Sequence, residues 1–181
     1  MKKMLFLAMF SSLAYAGQAQ VYTGKTVNVE FYSHTPVEDI KAKTPVMTSV
    51  IDFSNNSFAF KIPVKTFDFP NDLMEEHFNE NYMESDKYPN ATFNGKMTSA
   101  TKIDISKDGT QNVMAEGKLT IHGVAQDRKI PATLTVKDGK IKIDAKFNVH
   151  LTDHKVEVPT IVMSKIAEDI AVTVNLAMEK H

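Results

Sequence analysis

Lys140 to Leu151 reads KIKIDAKFNVHL, and its period decides the fold. Ile141, Ile143, Ala145, Phe147, Val149 and Leu151 alternate with Lys140, Lys142, Asp144, Lys146 and Asn148. Successive side chains of a strand point to opposite faces, so this run is a strand with one dry and one wet face. The same period recurs on either side. Upstream lie Val27, Val29 and Phe31; Phe58, Phe60, Ile62 and Val64; Ala115, Gly117, Leu119 and Ile121; and Ile130, Ala132, Leu134 and Val136. Downstream come Ile170, Val172, Val174, Leu176 and Met178. Antiparallel sheets can keep one face in water, so the pattern specifies an all-β chain. Asp108-Gly109 and Asp138-Gly139 accept positive φ and are expected to close tight hairpins. Gly117 within one strand and Pro63 in another are expected to mark a bulge, a bend or an edge. Seven or eight such strands form either a sandwich or a closed barrel. A barrel of about eight strands encloses a space that side chains fill or that one small ligand occupies.

The exception to the period is Asp72 to Tyr82, where Leu73, Met74, His77, Phe78 and Tyr82 fall on one helical face. Pro70 ends the preceding strand, and Asp72 with Glu75 resembles a capping pair. A single short amphipathic helix among strands serves either as a lid over a cavity or as a plug completing the core. Both readings stay open here.

The first residues concern the compartment. Lys2 and Lys3 precede an apolar run from Met4 to Leu13, and small residues follow at Ala14, Ala16, Gly17 and Ala19. That run is shorter than the ~20 apolar residues of a membrane span, and the pattern is that of a cleavable secretory signal. Residues 1–19 are therefore expected to be removed and 20–181 to form one domain, exported to the periplasm or secreted. The chain has no cysteine, which excludes disulfides, thiolate metal sites and a lipidated cysteine anchor. With 21 basic against 22 acidic residues, interspersed in sign, it is a poor match for nucleic acid or for an electrostatic membrane binder.

Chemistry-bearing motifs are sparse. His150, Asp153 and His154 make an HxxDH cluster, but four residues along a strand separate side chains by roughly 13 Å, so a metal would need an intervening turn. His122 beside Gly123 reads as a surface or turn residue. No nucleophile elbow, phosphate loop or tuned carboxylate pair appears, so no catalytic residue, metal site or cofactor is expected.

Glu75 to Gly95, EEHFNENYMESDKYPNATFNG, joins the helix to a Tyr88-Pro89 turn and a strand; Glu116 to Val124, EGKLTIHGV, and Ile166 to Leu176, IAEDIAVTVNL, are further matching segments. On these residues the chain resembles the YceI-like family of secreted polyisoprenoid-binding proteins. The resemblance implies an extended eight-stranded antiparallel lipocalin-like barrel whose apolar lumen holds an isoprenoid or similar amphiphilic lipid. On that reading the lumen candidates are Phe31, Phe58, Phe60, Phe93 and Phe147 from the strands, with Met74, Phe78 and Tyr82 from the helix. Each is equally compatible with ordinary core. His77, Asn79 and Lys87 flank the helix and would stand at the mouth. Three other roles compete: a filled barrel acting through its outer surface as an accessory or stress factor, an outer-membrane barrel, and a hydrolase. The lack of Trp, the scarcity of girdle aromatics and the lysine-rich wet faces argue against stable membrane insertion.

Overall fold

The computed structural model describes residues 20–181; the expected signal segment 1–19 lies outside them. Nine strands run in the order β1 (Val21–His34), β2 (Asp39–Thr44), β3 (Thr48–Asp52), β4 (Ser57–Pro63), β5 (Asn90–Thr98), β6 (Gly109–Ile121), β7 (Val124–Lys137), β8 (Lys140–His150) and β9 (Asp169–Lys180). All pairings are antiparallel, neighbours in sequence pair from β3 to β9, and β9 returns to β1 along Tyr22–Tyr32, which closes the barrel. The expected eight-stranded barrel is thus present, with one extra strand. β2 and β3 lie end to end on the same edge of β1, since Val29 faces Thr44 and Thr23 faces Val50 in one continuous register. Pro45 stands at the break between them, where it has no N–H to give the ladder.

Two of the turns are two-residue loops with positive φ at both positions, His122-Gly123 (50° and 72°) and Asp138-Gly139 (51° and 71°). That geometry matches the twist of the flanking strands. Asp108-Gly109 is not such a turn. Residues 99–108 form a longer loop before β6, and the Asp108 carboxylate instead accepts the backbone N–H of Asp138 at 3.1 Å, tying this loop to the β7–β8 turn. Gly117 is not a bulge either: it faces Gly95 in an unbroken register. A Cβ on either glycine would fall 2.0–2.1 Å from a carbonyl oxygen of the opposing strand, so only glycine permits this close approach of the two strands. The one register shift lies in β1 against β9, between Gly24 and Thr26.

The barrel interior is divided along its axis. At one end Ile51, Leu134, Ile141 and Met178 are fully buried and pack with Tyr22, Phe53, Phe58, Met97 and Val136. Ile103 and Ile105 of the loop 99–108 close that end. At the other end the same dry faces continue along β1, β4 and β7 to β9, but they diverge from one another and enclose open volume.

Candidate functional site: a half-barrel lumen and its mouth

The open half is a cavity of about 520 Å³. Its wall alternates down each strand: Val29 and Phe31 on β1, Phe60 and Ile62 on β4, Phe93 on β5, Leu119 on β6, Ile130 and Ala132 on β7, Ile143 to Val149 on β8, and Val172 to Leu176 on β9. At roughly 3.3 Å per residue, the run from Ile143 to Val149 makes a wall about 20 Å long. Of the eight candidates, Phe31, Phe60, Met74, Phe78, Tyr82, Phe93 and Phe147 face this space. Phe58 does not. It sits one step deeper, buried, with ring centroids 5.0 Å from Phe60 and 4.8 Å from Phe93, where β4 has already entered the packed half.

The mouth is roofed by three segments. The first is α1 (Asp72–His77), which continues as a five-residue π-turn, Phe78–Tyr82. Its cap is Asn71, one residue before the expected pair; the Asn71 side chain accepts the N–H of Leu73 at 2.9 Å and of Met74 at 3.3 Å. The wider turn, closed by Met83 N–H to Phe78 O at 2.9 Å, lets Phe78 and Met83 both project inward although they are five residues apart. The Phe78 ring packs against Phe31, Phe67 and Phe69 at 5.0–5.8 Å. The second segment is Val64–Phe69, which contributes Phe67 and Phe69. The third is the connection 151–168, which contributes Val156, Val158, Val162 and Ile166. Phe67 and Phe69 are visible in the sequence as an apolar alternation just before Pro70. The 151–168 connection has no period to find.

The carboxylate and the ammonium at the wall, Glu38 and Lys165, stand at its rim and pair at 3.5 Å. Ser33 is buried beside them, its hydroxyl accepting the Ala167 N–H at 2.9 Å. His77 reaches the cavity; Asn79 donates instead to Glu75 O at 3.0 Å, and Lys87 lies over the Tyr88 ring and beside Glu84. Burial raises the pKa of the Tyr82 phenol.

The matching segments Glu75 to Gly95 and Glu116 to Val124 meet in space. His122, at the β6–β7 turn, bonds the Glu84 carboxylate at 2.8 Å, and Tyr88 packs edge-on against the His122 ring at 4.6 Å. The bond from His122 holds the Glu84 carboxyl below the ordinary glutamate range. This brace anchors the base of the lid to the barrel wall. His150 and His154 are separated by a 3₁₀ turn, Leu151–His154: His150 pairs with Asp169 at 3.0 Å, and His154 is buried with its Nδ1 on Val124 O. Among the described residues no group of three His, Asp or Glu side chains is placed to hold a metal ion.

The wall also has a seam. β7 and β8 pair only from Ala132 to Lys137 and from Lys140 to Ala145, while β7 continues against β6 and β8 against β9. Beyond Ala132 the two strands part, and side chains bridge the gap: Arg128 to Asn148 O, Gln126 to Asp153 O, and His154 to Val124 O.

A closed antiparallel barrel, packed at one end and hollow at the other with a helical roof, is a lipocalin-like fold. Residues 20–178 match the model of the YceI-like domain, and the chain belongs to that family. Its structure is similar to a polyisoprenoid-binding domain from Saccharophagus degradans implicated in plant cell wall breakdown (TM-score 0.77, 14% identity, covering 91% of this chain and 100% of that one). It is also similar to BcnA of Burkholderia cenocepacia (TM-score 0.71, 18% identity, 83% and 95%) and to a Campylobacter jejuni YCEI protein (TM-score 0.61, 23% identity, 82% and 90%). At these identities the likeness is one of fold. No curated protein matches the chain.

Proposed function

We propose that the protein is an exported, periplasmic carrier that sequesters an isoprenoid or other long-chain lipid in the hollow half of its barrel, without catalysis. The observation that carries this reading is the 520 Å³ cavity, whose wall is apolar except at the rim. Its size lies within the ~300–1,000 Å³ of small-molecule sites. Each methylene moved from water into such a wall contributes about 0.8 kcal/mol, so a chain of modest length binds tightly with few polar contacts. Selection then falls on length and shape. Export is supported by the Lys2-Lys3 start, the short apolar run and the small residues before Gln20. The family and the polyisoprenoid-binding structural relative support the class of cargo.

The test is to express the full chain in a host that processes such signals and to purify it without detergent from the periplasmic fraction. The N-terminus is then sequenced, and an organic extract is examined by mass spectrometry. The expected result is a chain beginning near Gly17 or Gln20 with a co-purifying lipid at near-stoichiometric amount. An intact Met1 in that fraction would remove the export reading. An empty extract, together with no uptake of a fluorescent farnesyl analogue, would leave a barrel acting through its outer surface.

A further inference from the structure

Five large apolar side chains stand exposed among the described residues: Val37, Val46, Leu73, Ile161 and Met163. Four of them belong to segments that surround the cavity mouth. Val37 (62% exposed) is on the β1–β2 turn beside Glu38, Leu73 (56%) is on the lid helix, and Ile161 (89%) and Met163 (50%) flank Val162 in the 151–168 connection. Glu38, Leu73 and Val162 themselves line the cavity. The Glu38–Lys165 pair and the Ala167–Ser33 bond fasten the 151–168 connection beside the β1–β2 turn. The turn Thr160–Val162 directs Val162 inward and leaves its neighbours outward. The apolar lining therefore continues over the rim and out into solvent.

We propose that this crown of Val37, Leu73, Ile161 and Met163 docks the mouth onto the surface of a lipid bilayer, so that cargo passes between bilayer and lumen without crossing water. The inference rests on the carrier reading for its purpose and on the crown for its geometry. A cargo whose affinity grows by about 0.8 kcal/mol per methylene leaves into water at a rate that falls steeply with chain length, and contact with a bilayer removes that barrier. Isolated aliphatic side chains suit a lipid surface. They suit a protein partner poorly: a protein interface buries about 800 Å² per partner around hot spots rich in Trp, Tyr and Arg, where Leu and Val are under-represented. The charges select the kind of bilayer. Lys165 is paired with Glu38, and the lid carries Asp72, Glu75 and Glu76, so the mouth offers no basic cluster to anionic lipid. The expected surface is a neutral, zwitterionic one.

The test uses purified protein, phosphatidylcholine vesicles and a fluorescent farnesyl analogue. The triple variant Val37→Ser, Ile161→Ser, Met163→Ser touches no residue of the cavity wall. The wild type is expected to float with the vesicles and to deliver the analogue at a rate that rises with vesicle concentration. The variant should bind the analogue with unchanged affinity, float at least about tenfold less, and transfer at a slow rate indifferent to vesicle concentration. Wild-type transfer that ignores vesicle concentration overturns the proposal. So does a variant that transfers as fast as wild type, or flotation that requires phosphatidylglycerol. Flotation lost in the variant, from a protein that takes up no analogue, upholds the docking surface and removes the carrier reading instead.

Discussion

His154 shows how one side chain converts the fold into a pH dependence. It is fully buried under the seam, and the bond of its Nδ1 to Val124 O at 3.0 Å places the proton on that nitrogen. Burial pushes its pKa below the ordinary histidine value and outweighs the bond to the Val124 carbonyl, which raises it; the nearby Arg128 cation adds to the lowering and Asp153 opposes it. The folded protein therefore keeps His154 neutral, while the unfolded chain binds a proton below about pH 6.5. Its contribution to stability is present above that pH and is lost as pH falls toward the folded-state pKa. Urea midpoints should decline as pH falls below about 6.5, and His154→Asn should flatten that decline even if it lowers every midpoint. His150 works in the opposite sense, because Asp169 raises its pKa, so its stabilisation is lost as pH rises; in its exposed position the effect is small. His150→Ala should leave the slope near that of wild type. A His154→Asn curve parallel to wild type would place the acid sensitivity elsewhere. Glu84, held low by His122, contributes stability that is fully present above the ordinary carboxylate range and is lost only as pH falls through that range, below this window.

The lid is the element on which structure and function separate most cleanly. No residue of α1 is fully buried, and Met74 and Phe78 are half-buried against the cavity. Truncating Met or Phe in a packed core costs roughly 2–5 kcal/mol each, but side chains with one face on open volume have fewer contacts to lose. Met74→Ala with Phe78→Ala should therefore lower stability by only about 1–3 kcal/mol in total while speeding release of a fluorescent isoprenoid analogue at least about tenfold. Off-rates set beside urea midpoints distinguish the outcomes: a large midpoint loss with an unchanged off-rate makes the helix an ordinary plug. Elements of this kind differ in how visible they are in the sequence. Strands β6 to β9 were legible because each keeps one parity for its whole length, as β8 does from Ile141 to Val149, and β1 was legible only past its irregularity, from Val27 on. β2 and β3 were not, because a single strand is split at Pro45 and its inward positions include small or polar residues, Ala42, Thr44 and Ser49. The hairpin expected at Asp108-Gly109 failed for a different reason: Ile103 and Ile105 gain more by closing the barrel end than a two-residue turn would allow. The crown was invisible, since Ile161 and Met163 have no periodic neighbours and the pair that fastens their segment to the β1–β2 turn, Lys165 with Glu38, is a long-range contact.

At the scale of the whole molecule the same alternation does two jobs, and nothing in the period says which. Leu134 and Phe147 are both dry-face residues of neighbouring strands, yet one is wholly enclosed and the other borders open space. The difference lies in how far opposite walls diverge, which depends on the Gly95–Gly117 close approach, the β1 irregularity at Gly24 and the parting of β7 from β8 beyond Ala132. Stability is concentrated in the packed half and capacity in the hollow one. Leu134→Ala should cost about 2–5 kcal/mol, because it removes a fully enclosed side chain from a site with little room to collapse. Cargo affinity, measured where the variant remains folded, should change little. Phe147→Ala should cost less than Leu134→Ala, since part of its ring already faces a void, but it should weaken binding by removing a wall of the lumen. Ala145→Leu, which adds volume at the cavity wall, should hold or raise the urea midpoint and lower the capacity for long-chain cargo. A Phe147→Ala variant as unstable as Leu134→Ala would mean that the upper half is packed in solution and that the lumen exists only when a ligand opens it.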